Sequence, residues 1–105
     1  MVKVKIPQKI KIGAHTYAIK LSDTLESRGN KLGYTDITNG LIEIEKKQCE
    51  TSKLDTLIHE ALHSVNFYFC NKTLGEDVVE GIANAVTIFL TDLGIEFDWE
   101  LIKEG

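Results

Sequence analysis

His59 and His63 stand four residues apart, with Glu60 directly after the first, and this spacing places both rings on one side of the chain only if the segment is helical. A helix rises about 1.5 Å and turns about 100° per residue, so positions i and i+4 lie roughly 6 Å apart on one face. Both imidazoles can then reach a single metal ion. Glu60 points about 100° away, so it flanks the ion without binding it, where it can take a proton from a water as a general base.

The neighbouring residues supply the helix. Leu54, Leu57, Ile58, Ala61, Leu62 and Val65 recur at intervals of three and four and define an apolar stripe. The histidines fall outside it, beside Ser52, Thr56 and Asn66, so they are expected to face a cleft. Thr51 or Ser52 can cap the start.

Two histidines do not complete a zinc site, which needs a third protein ligand and, for catalysis, a position left to water. After a break at Asn71 to Gly75, a second helix begins near Glu76, with an apolar stripe of Val79, Ile82, Ala83, Val86, Leu90 and Leu93. Glu80 is the expected third ligand, with Glu76 one turn earlier as its rival. Asn84 follows Glu80 by one turn and is placed to hydrogen-bond the outer nitrogen of a ligand histidine, fixing its tautomer.

His59-Glu60-x-x-His63 followed by Glu80-x-x-x-Asn84 on a second helix resembles the gluzincin metallopeptidases. The resemblance implies a helical glutamate as third zinc ligand and, one turn later, a residue that supports the first histidine. That residue is often Asp in the clan and is Asn84 here. The short length, with hairpins ahead of the ligand helices, is similar to the minigluzincins and to small phage or prophage metallopeptidases. The likeness runs from about Ile10 to Leu93, and its specificity lies in His59, Glu60, His63 and Glu80.

The first half reads as strands. Lys9 to Ile12 and Thr16 to Leu21 flank a turn at Gly13-Ala14-His15, and Gly33 to Ile37 and Leu41 to Glu45 flank Thr38-Asn39-Gly40, where Asn-Gly is a strong hairpin signal. Ser22 to Leu32 is the least determined connection. The expected architecture is α+β and zincin-like: a small antiparallel sheet of two hairpins, the His59 helix, a second ligand helix, and a short C-terminal helix over Asp98 to Ile102 that closes the core. A chain of 105 residues with no repeat or low-complexity tract fits one domain, β-rich over 1–48 and helical over 52–105.

A net charge of −4 argues against a nucleic-acid partner, which calls for a basic stripe. Lys3, Lys5, Lys9 and Lys11 alternate with apolar residues around Pro7 and read as the solvated face of an exposed strand. There is neither the apolar core of a signal peptide nor the roughly 20 apolar residues of a membrane span, so the expectation is a cytoplasmic protein with no membrane partner. Cys49 and Cys70 are then expected as reduced thiols. Cys70 lies on the histidine face but about 10 Å further along the axis, too far to share the metal.

These readings converge on a zinc-dependent metallopeptidase that cleaves an extended peptide or protein, with Zn2+ on His59, His63 and Glu80 and with Glu60 as base. In gluzincins an edge strand pairs with the substrate, and the second hairpin is the expected edge. His15, Tyr34 and Tyr68 are the candidate donors to the developing oxyanion. The resemblance to small latent gluzincins suggests that the tail from Phe97 to Ile102 can occupy the cleft and hold the enzyme inactive. The alternative function is a non-catalytic, zinc-stabilised interaction protein of phage or mobile-element type. Its mark would be a fourth protein ligand from Cys49, Cys70 or Glu76.

Overall fold

The computed structural model describes residues 2–29 and 31–104. Both hairpins form where turn chemistry places them. Strands β2 (Lys9–Ile12) and β3 (His15–Ser22) pair antiparallel, as do β4 (Gly33–Asp36) and β5 (Leu41–Glu45). Gly40 closes the second turn at φ +68°, and a Cβ there would sit 2.5 Å from the Thr16 carbonyl oxygen, so the turn needs glycine on both counts.

The hairpins join through β3 and β5 in parallel, with Ile19 opposite Ile42 and Leu21 opposite Ile44, so the sheet is mixed, in the order β2-β3-β5-β4. This corrects the all-antiparallel expectation. A parallel join needs a long crossover, which here is the Ser22 to Leu32 connection and β4 itself. Leu25 anchors that connection at 2% exposure.

Two further strands replace the expected C-terminal helix. Gly94, at φ +82°, turns the chain out of the second helix into β6 (Ile95–Asp98), which pairs in parallel with the exposed β1 (Val2–Lys5). After a turn at Trp99 to Ile102, β7 (Lys103–Glu104) lies parallel to Lys20 and Leu21 of β3. The tail does close the core, because Trp99 and Ile102 are buried with Ile6, Ile12, Tyr17, Ile19, Ile42, Ile44 and Leu57. Its partners are strands 93 and 83 residues earlier in sequence, Val2 opposite Ile95 and Lys20 opposite Lys103, and no local pattern could announce that pairing.

The helices are α1 (Glu50–Phe69) and α2 (Glu76–Asp92), which makes the whole an α+β fold of two helices on a mixed sheet. Helix α1 starts after Cys49 with no side-chain cap. Ser52 instead binds Gln48, as Thr56 does at 2.9 Å, and the Gln48 amide donates to the carbonyls of Leu32 (3.1 Å) and Glu45 (3.0 Å). One side chain thereby ties the first turns of α1 to the entry of β4 and the exit of β5. The buried residues of α1 are Leu54, Thr56, Leu57, Glu60 and Ser64, while Ile58, Ala61, Leu62 and Val65 are half-buried. Thr56 and Glu60 are the buried residues that Gly33 of β4 approaches at close range. No helix among the described residues is long and apolar enough to cross a membrane.

Candidate metal centre

Helix α1 delivers the histidines as its spacing requires. Their rings meet edge to face at 4.8 Å between centroids, half-exposed on the side that looks toward α2 and the β4 edge. One ligating atom each from His59, Glu60 and His63 lies within 4.8 Å of the others.

The turn between the helices fixes which acid joins them. Asn71 and Lys72 take left-handed φ values of 52° and 59°. Asn66 then brackets Leu74, its Nδ2 donating to the Leu74 carbonyl and its Oδ1 accepting from the Leu74 amide, both at 3.1 Å. This double clasp folds α2 back on α1 within a few residues, so the first turn of α2 lies over the histidines. Glu76 Oε1 is 2.7 Å from His59 Nε2, and Glu76 Oε2 is 3.8 Å from His63 Nε2.

Glu80 lies one turn beyond. It lines a cavity of ≈ 320 Å³ with Lys31, Leu32, Gly33, Asp55, Thr56, His59 and Glu60. The structure thus brings the rival carboxylate, Glu76, to both imidazoles and sets Glu80 beside His59 and Asp55. Asn84 is also displaced from its expected partner. With its amide oriented to satisfy both groups, its nitrogen donates to Asp55 Oδ1 at 2.8 Å and Oδ2 at 3.0 Å. Asn84 therefore binds a carboxylate one helical turn before His59 instead of the histidine itself. Burial pushes the Asp55 carboxyl up from its ordinary value, with the Glu80 charge adding to the shift and His59 opposing it.

Glu60 is 8% exposed and is held from the sheet. Thr35 Oγ1 on β4 lies 2.6 Å from Glu60 Oε1 and 3.1 Å from the Glu60 carbonyl oxygen, so its hydroxyl donates to the residue twice in a shared bond. Gly33 makes room for this approach. A Cβ at that position would sit 2.5 Å from Thr56 Cγ2 and 2.9 Å from both Cγ and Oε2 of Glu60.

Gly33, Thr35, Gln48 and Asp55 are the site residues that the motif reading missed. A glycine opening a strand next to a hairpin signal does carry a hint, since strand glycines mark close approach of another group. Of the candidate oxyanion donors, Tyr34 alone lines the site, in a recess of ≈ 360 Å³ shared with Lys31, His59, Glu60, His63 and Glu76. His15 stacks on Tyr68 at 4.5 Å, and Tyr68 meets the Tyr17 hydroxyl at 2.7 Å, a bond that pushes its pKa up to about 12. Both belong to the packing near the end of α1.

Strand β4 forms the edge of the sheet and the wall of both recesses. No tail residue lines either one. The thiols of Cys49 and Cys70 are free and flank the two ends of α1. No protein-family model matches the chain, and no curated protein or solved structure matches it significantly.

The Glu76 carboxylate meets His59 Nε2 at hydrogen-bond distance through Oε1 and stands 3.8 Å from His63 Nε2 through Oε2, so one carboxylate faces both ring nitrogens at a point where three protein donors could share a cation. Two imidazoles and one carboxylate also match zinc by ligand chemistry.

Proposed function

We propose that the chain is a zinc-dependent, zincin-like metallopeptidase that hydrolyses peptide bonds in an extended substrate. His59, His63 and Glu76 would hold the ion, and Glu60 is the general base. The observation that carries the reading is the convergence of the Glu76 carboxylate on both histidine Nε2 atoms, with the buried, hydrogen-bonded Glu60 directly beside them. When bound, zinc supplies Lewis-acid polarisation of a carbonyl and lowers the pKa of a coordinated water toward about 7.

The residues of the chain do the rest. The Thr35 hydroxyl occupies Glu60 Oε1, which leaves Oε2 as the oxygen that takes a proton from the attacking water and passes it to the leaving amine. Thr35 holds the carboxylate in place from the sheet side, and the missing Cβ at Gly33 leaves the space that its Oε2 needs. An extended peptide would pair with the free edge of β4, so its backbone would pass directly over Glu60. Tyr34, which borders the recess beside His59, Glu60 and His63, is the candidate donor to the developing oxyanion.

A structural zinc site closed by Cys49 or Cys70 gains no support, since neither thiol belongs to the recess walls. Glu76, the third residue that could close such a site, is read here as a ligand of an open one, and a site that binds zinc tightly without cleavage would favour the structural alternative. Latency through the tail gains no support either, since Trp99 and Ile102 are committed to the core and β7 to β3. The reading is tested by incubating the zinc-loaded chain with an unfolded protein. Fragments that vanish on chelation and in Glu60→Gln support it. A zinc-loaded wild type with no cleavage, or cleavage equal in wild type and Glu60→Gln, would overturn it.

A further inference from the structure

The outer face of α2 is built like half of an interface. Val79, Ala83 and Thr87 are the buried residues of this helix, and Glu76, Glu80 and Asn84 occupy the flank toward the metal cluster. On the far side, Val78, Ile82, Ala85, Val86, Phe89 and Leu93 fall within an arc of about 100°. All are exposed, Phe89 to 63% and Leu93 to 59%, and none carries a charge. The wide apolar stripe of the sequence is thus only half used within the chain.

The spacing of this face points to its occupant. It reads the same in both directions about a point between Ala85 and Val86. An antiparallel copy therefore sets Val78 against Leu93 of the partner subunit, Ile82 against Phe89 of the partner subunit, and Ala85 against Val86 of the partner subunit. This is the self-complementarity that a twofold, isologous contact requires. Ala85 at the crossing permits the 8–10 Å approach of packed helices.

Charge selects the same orientation. Helix α2 has no lysine or arginine, and three of its four acids, Glu76, Asp77 and Glu80, crowd its first half. A parallel pair would stack them against each other, and the antiparallel pair sends them to opposite ends. The apolar face amounts to on the order of 500 Å² per copy, at the upper end of what monomers leave exposed. Two such faces with their polar margins reach roughly 1,000–1,200 Å², the lower bound for a specific contact.

We propose that the chain forms a twofold homodimer through antiparallel packing of α2 on α2, with micromolar affinity and with both metal sites left open on the flanks. The proposal does not depend on the peptidase reading.

Sedimentation equilibrium of the purified chain, from about 1 to about 500 μM, tests it. The expected weight-average mass rises from 11.8 kDa to twice that value and stops there. Phe89→Glu, a change on the exposed surface, is expected to keep its helical circular dichroism and to weaken association by roughly 100-fold or more. Ile88→Glu adds the same charge at an equally exposed position turned about 100° away, and is expected to dimerise as the wild type does. A wild-type chain that stays monomeric throughout, equal effects of the two substitutions, or growth past the dimer would each overturn the proposal.

Discussion

Gly33→Ala puts the arrangement of Glu60 to a sharp test, because it adds one methyl group at the contact between β4 and α1. The new Cβ would lie 2.5 Å from Thr56 Cγ2 and 2.9 Å from Glu60 Cγ and Oε2. Neither neighbour can give way cheaply. Thr56 is a β-branched residue on a helix with its hydroxyl bound to Gln48, and Glu60 is buried and bound to Thr35. The strand and helix must therefore separate by several tenths of an ångström. Overpacking of this kind costs about 1–3 kcal/mol, which for a domain of this size lowers Tm by roughly 5–20 °C. A base displaced by about 1 Å loses on the order of 100-fold in rate. The proposed ligands His59, His63 and Glu76 lie outside the clash, so zinc stoichiometry is expected to hold. Thermal melts, zinc analysis and peptide cleavage measured on the same sample separate these effects. A Gly33→Ala protein that melts within about 2 °C of wild type and cleaves at the wild-type rate would refute the packing argument.

Gly81, by contrast, faces open space within α2; Gly81→Ala is expected to raise stability by about 0.5–1 kcal/mol through lost unfolded-state entropy, read from denaturant midpoints. Thr35→Val keeps the shape but leaves Glu60 Oε1 without its donor, so a loss of about 1–3 kcal/mol in stability and a clear drop in cleavage are expected, with Thr35→Ser restoring both. The Asp36 carboxylate accepts the Asn39 amide side chain at 2.9 Å and its backbone N–H at 3.1 Å, which hold its pKa below the ordinary value. A depressed carboxylate stabilises the fold fully above its unfolded pKa of about 3.9 and loses that contribution as pH falls through the lower folded value. Asn39→Ala is therefore expected to lower Tm at neutral pH and to matter less at about pH 2; an equal effect at both would reject the charge-assisted role.

The sequence made the motif helix, the break at Asn71 to Gly75 and both hairpin turns legible, because each rests on local spacing or turn chemistry; it pointed to the second hairpin as an edge, and within that hairpin β4 is the outer strand. It left open which of two acids on one face of α2 meets the histidines. That contact depends on how far α2 slides along α1, and the offset is set by the Asn66 clasp on Leu74 and by left-handed φ at Asn71 and Lys72. No helical wheel contains this information. The tail was misread for a related reason. Asp98 after Gly94 looks like a helix cap, and it does bind the Glu100 amide at 2.8 Å, but the pairing of β6 with β1 and of β7 with β3 decides the local structure. Large apolar residues at Trp99 and Ile102 signalled burial correctly while saying nothing of the backbone that delivers them. Gln48 carried no signal at all; its importance comes from standing where α1, β5 and the entry to β4 meet.

Zinc affinity would be compared across four proteins, wild type, Glu60→Gln, Glu76→Gln and Glu80→Gln, titrated with zinc after chelator treatment. One tight site per chain is expected in wild type, Glu60→Gln and Glu80→Gln, and affinity weakened by roughly 100-fold or more in Glu76→Gln, which loses a charged group facing both imidazoles. Unchanged binding in Glu76→Gln, with the loss appearing in Glu80→Gln, would move the third ligand one turn along α2. The absence of tight zinc binding in the wild type would contradict the metal centre itself.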